Sequence, residues 1–109
     1  MKNIVLEYIR KNNGTSYAEL EWLFEQHSYD YIGNIETVSN SNSYVVFWCG
    51  WNKQAFEILR ELMREKQIER IPCKPIIYLI DGKGLNYLVL NDIFDVRTSH
   101  WLPCVFNAL

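Results

Sequence analysis

Residues 52–67, NKQAFEILRELMREKQ, constrain this chain more than any other stretch. Ala55, Phe56, Leu59, Leu62 and Met63 recur at i, i+3, i+4 and i+7. Only a helix keeps such a stripe on one face. Asn52 stands where an N-cap belongs, so the spacing predicts a helix over 52–66. Lys53, Glu57, Arg60, Glu61, Arg64 and Glu65 fill the opposite side.

Two shorter helices precede it. NIVLEYIRKN places Ile4, Val5, Tyr8 and Ile9 on one face, and NNG at 12–14 ends that helix. TSYAELEWLFEQH opens the next, over 16–27. Ser16 and Glu19 have capping-box spacing, and Leu20, Leu23, Phe24 and His27 continue an inner face. The Ser/Asn run at 39–43 then separates NIETV from YVVFW, which predicts a β-hairpin ended by Gly50. Trp48 and Trp51 flank Cys49-Gly50 just before Asn52, a position suited to a hydrophobic staple.

Beyond the long helix, IERIPCKPIIYLI reads as two strand-like pieces around Pro72 and Pro75. Asp81-Gly82 favours a tight turn, and LNYLVL returns as a strand, so a second hairpin is expected over 76–90. HWLPCVF, with Pro103 inside it, reads as a tail strand at a sheet edge over 100–106. The expectation is one α+β domain spanning 1–109, with three helices, a hairpin inserted before the third, and a C-terminal hairpin.

Composition bounds function loosely. The chain has 109 residues, a net charge of −2 and four Trp, seven Tyr and five Phe, which suits one folded domain rather than a polycation. Its charge is uneven. Residues 51–84 carry seven Lys and Arg against five acids, whereas residues 1–50 carry three against six. Cys49, Cys73 and Cys104 are odd in number and widely spaced, which fits reduced thiols in the cytoplasm. With His27 and His100 they make no standard zinc spacing. No catalytic motif is present: DGKG lacks the frame of a phosphate loop. No cofactor, metal or enzymatic activity is expected. The longest apolar run, Ile76 to Ile80, is far too short to span a bilayer.

Two short helices, then a helix leading through Lys66, Ile68 and Arg70 into a hairpin, resemble the winged helix-turn-helix family over roughly residues 1–90. Here an extra hairpin separates His27 from Asn52. The resemblance implies that the third helix enters the major groove of double-stranded DNA and that the wing touches the backbone. It would make Lys53, Gln54, Arg60 and Arg64 base- and phosphate-facing. Lys66, Arg70, Lys74 and Lys83 would grip phosphates from the wing side. It also implies a homodimer reading two half-sites.

TSYAELEWLF, FWCGWN, YLIDGKGLNY and HWLPCVF are also similar to small accessory proteins of bacteriophages and mobile elements of Gram-positive bacteria. Such proteins include transcription regulators and inhibitors of host machinery, of the anti-CRISPR or host-takeover type. The second kind would meet a host protein through the acidic first two helices, with Glu19, Glu21 and Glu25, or through the hairpin around Asn40 to Tyr44. A bland reading stands beside both: Glu57 can pair with Arg60, and Glu61 with Arg64, to give a merely solvated helix face.

Overall fold

The computed structural model describes residues 1–91 and 95–109 as an α+β fold. Helix α1 (Lys2–Lys11) buries Val5 and Ile9 but leaves Ile4 at the surface. Asn12 closes it, its side-chain amide donating to the Tyr8 carbonyl at 2.9 Å. Gly14, at φ +85°, turns the chain into the two-residue strand β1 (Thr15–Ser16).

Ser16 caps α2 (Tyr17–Gln26), its hydroxyl accepting from the Glu19 amide at 3.0 Å. The capping box is only half made, because the Glu19 carboxylate accepts from the Tyr8 hydroxyl instead, at 2.9 Å. His27, expected on the inner face, is the exposed C-cap.

The inserted hairpin is present and longer than NIETV and YVVFW. Strand β2 (Ile32–Val38) pairs antiparallel with β3 (Val45–Trp51). Gly50 does not end β3. At φ +90° it forms a bulge, with Glu36 opposite Cys49 but Ile35 opposite Trp51. One extra residue reverses the alternation of side chains, so Trp48 and Trp51 face the same way.

Helix α3 (Lys53–Arg64) starts where predicted, with the Asn52 side chain accepting from the Ala55 amide at 2.9 Å. Trp51 and Phe56 occupy the staple positions on either side of the cap, their rings stacked at 4.8 Å. Lys66 adopts φ +58° at the exit.

The C-terminal third departs from the sequence reading. The hairpin expected over 76–90 is not formed. After β4 (Ile68–Pro72), residues Ile76–Ile80 make a short helix, α4. A five-residue apolar run has no periodicity that separates strand from helix. Pro75 at the helix start suits the helical alternative. Tyr78 then pins α4 inward, its hydroxyl donating to the Cys104 carbonyl at 2.5 Å and accepting from the Tyr17 amide at 3.1 Å. Asp81-Gly82 is accordingly the helix exit, with Gly82 at φ +68°.

Strands β5 (Leu88–Val89) and β6 (His100–Trp101) run parallel to each other, and β6 runs parallel to β3, giving a four-stranded sheet in the order β2-β3-β6-β5.

The tail is not an edge strand. Strand β7 (Cys104–Ala108) lies between β1 and β4 in a second sheet, antiparallel to both, with Thr15 opposite Phe106 and Ile68 opposite Ala108. Pro103 precedes the ladder by one residue, so it does not bar a central position. Helix α1 packs on β7 and α3. Among the described residues, Trp51, Tyr17, Tyr78, Phe24 and Phe106 are the largest fully buried side chains. Among the described residues, no helix is long and apolar enough to cross a membrane.

Candidate nucleic-acid interface

Helix α3 buries Ala55, Phe56, Leu59 and Leu62 and turns its charged stripe outward. Lys53 and Gln54 are exposed in its first turn, where a helix presents free amides and the positive end of its dipole. Arg60 and Arg64 follow, their side chains 69% and 64% exposed. Glu57 sits between them, 3.3 Å from Arg64 Nη2 and 3.7 Å from Arg60 Nη1. The pair expected between Glu61 and Arg64 is not formed; Glu61 and Glu65 both approach Lys2 of α1, at 3.2 and 2.7 Å. One carboxylate therefore half-neutralises both arginines, while the other two belong to the α1 side.

The inserted hairpin borders this stripe without covering it. Ile35, Glu36, Thr37, Val38 and Asn40 line a cleft against Lys53, Phe56, Glu57 and Arg60. The cleft deepens toward β4, where Arg60 and Arg70 line one pocket. Arg70 is half-buried. Its guanidinium carbon lies 3.6 Å from the centroid of the Phe47 ring, and its Nη1 donates to the Tyr17 hydroxyl at 3.2 Å.

The remaining predicted residues scatter. Lys66 and Lys74 are exposed, one at the α3 exit and one past β4. Lys83 does not sit on a wing, because no such hairpin exists. It donates to Glu21 and lines a groove with Tyr8, Glu19, Trp22 and Glu25 on the α1–α2 side.

Glu21, expected on an acidic contact face, is turned inward and only 9% exposed. It accepts from Trp48 Nε1 at 2.9 Å and Trp51 Nε1 at 2.8 Å. Glu19 and Glu25 remain in the groove, each accepting from a tyrosine, Tyr8 at 2.9 Å and Tyr31 at 2.6 Å. Tyr44 is exposed in a separate hollow with Asp95 and Arg97.

The thiols are poorly disposed to react. Burial pushes Cys73 up to about 11 and Cys104 up to about 12, and burial with nearby Glu36 raises Cys49. The thiolate is the nucleophile, and a raised thiol pKa leaves less of it near neutral pH. Among the described residues, no group of three His, Cys, Asp or Glu is placed to hold a metal ion.

The residues that sequence reasoning missed are Tyr17, Phe47 and Thr37, and it placed Asn40 on a protein-contact hairpin rather than beside Arg60 and Arg70. They meet Arg60 or Arg70 only through the packing of distant segments, so no local spacing marks them. No family model, curated protein or solved structure matches the chain.

Proposed function

We propose that the protein is a small, non-catalytic DNA-binding regulator of winged-helix type, of the kind carried by phages and mobile elements. The observation that carries the reading is topological. Three helices, with β1 between the first two, β4 after the third, and β7 returning between β1 and β4, follow the order of a winged helix with two insertions. One is the β2–β3 hairpin ahead of α3. The other lies between β4 and β7, in the chain position that a wing would take, and includes α4, β5 and β6.

In this reading Lys53, Gln54, Arg60 and Arg64 face the duplex. Gln pairs with adenine and Arg with guanine through two hydrogen bonds. Lys66 and Arg70 serve the backbone. Two copies related by a two-fold axis would meet two half-sites. The test is anisotropy of a labelled mixed-sequence duplex at about 50 and about 200 mM salt. Binding that collapses over this range supports the reading. No binding at the lower salt sinks it.

A second reading, a protein-binding inhibitor, has its own observation. Trp22 is 53% exposed, and α4 leaves Ile76, Leu79 and Ile80 exposed at 53%, 65% and 78%. Exposed apolar side chains at i, i+3 and i+4 suit a protein partner better than a phosphate backbone.

A further inference from the structure

The deep end of the cleft between β2 and α3 is a cavity of about 120 Å³. Tyr17, Thr37, Asn40, Arg60 and Arg70 supply its polar lining, and Val38, Phe56, Leu59 and Met63 the rest. No carboxylate is among these residues. The neighbouring outer part of the cleft does hold two, Glu36 and Glu57. Arg60 is shared by the two parts and approaches Glu57 at 3.7 Å, so the cation without a nearby carboxylate at the inner end is Arg70.

Two features there are unspent. Arg70 has a ring face and a neutral hydroxyl as partners, and no carboxylate among the described residues lies within ion-pair distance of it. The guanidinium is half-buried, and the ring face answers only part of its charge. Its other nitrogens meet no protein acceptor among the described residues and stay open to solvent and to a ligand.

The Tyr17 hydroxyl is the second feature. It accepts from Arg70, yet its own proton meets no acceptor among the described residues, although the side chain is 1% exposed. Burial pushes that phenol up to about 12, so the proton is retained at neutral pH. Thr37 and Asn40 add a hydroxyl and an amide from the hairpin side. Donors thus converge from β4, α2, α3 and the inserted hairpin.

We propose that this pocket is an oxyanion site that seats one phosphate group between Arg70 and Arg60, with Tyr17 donating its hydroxyl proton. A tetrahedral oxyanion matches donors arriving from several directions, and the guanidinium fork suits it better than an ammonium would. The proposal rests on the DNA reading only for the source of the phosphate, which is a duplex backbone or free phosphate. The inserted hairpin thereby becomes a wall of the site rather than an obstruction to α3.

The experiment follows the arginine Nε–Hε resonances in proton–nitrogen spectra of the full chain. The probe is inorganic phosphate, with chloride at matched ionic strength as control, and then a duplex. Saturable movement of the Arg70 resonance by phosphate is the expected result. Tyr17→Phe, followed at the Arg70 resonance, and Arg70→Lys, followed at the Arg60 resonance, should each weaken that binding about ten-fold, the scale of one hydrogen bond to a charged group. If either variant loses its native spectrum, Asn40→Ala at the exposed rim takes its place.

Movement by the duplex but not by phosphate also supports the site and assigns its source. Saturation by phosphate with no duplex binding keeps the site and removes the DNA reading. A duplex that binds while the Arg70 resonance stays still overturns the site and leaves the DNA reading standing. No response to either probe, or an equal response in wild type and variants, overturns the site.

Discussion

Trp51 Nε1 donates to Glu21 Oε2 at 2.8 Å, tying the last residue of β3 to the middle of α2. Trp48 bonds the same oxygen at 2.9 Å, and Lys83 the other one. Glu21→Ala would strand two buried indole N–H groups and a lysine. Leaving a buried donor unsatisfied costs about 1–3 kcal/mol, and two are left here. Lys83→Met removes a partner that is 39% exposed and should cost about 1 kcal/mol. Urea unfolding of the two variants checks the order: the midpoint of Glu21→Ala should fall much further at unchanged slope. Equal midpoints would show that the carboxylate does not organise this junction.

Local relationships in the sequence were legible and distant ones were not. The α3 stripe, its Asn52 cap and the staple of Trp51 on Phe56 lie within a few residues of one another, so periodicity and capping chemistry identify them. The β2–β3 hairpin was legible because a Ser/Asn loop punctuates it. Ile76–Ile80 misled, since five apolar residues carry no period and their helix is fixed by Tyr78 reaching Cys104 and Tyr17. The central place of β7 depends on bonds such as that of Gly14 with Asn107, 93 residues apart. The pocket around Arg70 was hidden for the same reason: Tyr17 lies 53 residues away. The inward turn of Glu21 was hidden as well, because nothing beside it in sequence announces the two indoles.

Gly33 is required by close approach rather than by its backbone angle. A Cβ there would stand 2.7 Å from the Asn52 nitrogen and α-carbon and from the Trp51 carbonyl oxygen. These are backbone atoms at the α3 cap, and they cannot swing aside. Gly33→Ala should destabilise the domain by about 1–3 kcal/mol, the usual scale of overpacking. It should also disturb the amide of Ala55, which depends on the Asn52 cap. A thermal melt together with the Ala55 amide shift tests this, and an unchanged melting temperature would refute the close approach.

Stability should fall at alkaline pH. Tyr8 and Tyr17 are held up to about 12, mainly by burial, with the Glu19 bond adding at Tyr8 and Arg70 opposing at Tyr17. Cys73 and Cys104 are raised by burial to about 11 and about 12. In the unfolded chain these groups lose protons at their ordinary values, 10.0 for Tyr and 9.0 for Cys. Between those limits the folded state binds more protons, so stability falls as pH rises. The contribution is complete below about pH 9 and is lost progressively toward about pH 12. Urea midpoints at pH 7.5, 9 and 10.5, under reducing conditions, should be level over the first interval and drop over the second. Level midpoints across all three would contradict the burial of these groups.

Glu57 is the carboxylate that should restrain DNA binding. It approaches both Arg60 and Arg64, and in a complex it would face the phosphates or bases that those arginines address. Glu57→Gln removes the negative charge and keeps the shape. Its cost to folding should be small, because ion pairs this exposed contribute about 0–1 kcal/mol. Duplex affinity at about 50 mM salt should rise several-fold, since two arginines are released and one repulsion disappears. The double variant Arg60→Ala with Arg64→Ala should weaken binding without unfolding the domain. The slope of log affinity against log salt should then shrink by about 1 for each phosphate that the variant no longer neutralises. The alternative partner predicts the reverse pattern. Both changes on α3 would then leave complex formation intact, while reversing the charge of Glu25 in the Trp22 groove would disrupt it. Measuring the three variants against one duplex, with circular dichroism to confirm folding, separates a helix that reads DNA from one that is simply solvated. If Glu57→Gln and the arginine pair leave affinity unchanged, α3 is not the contacting element.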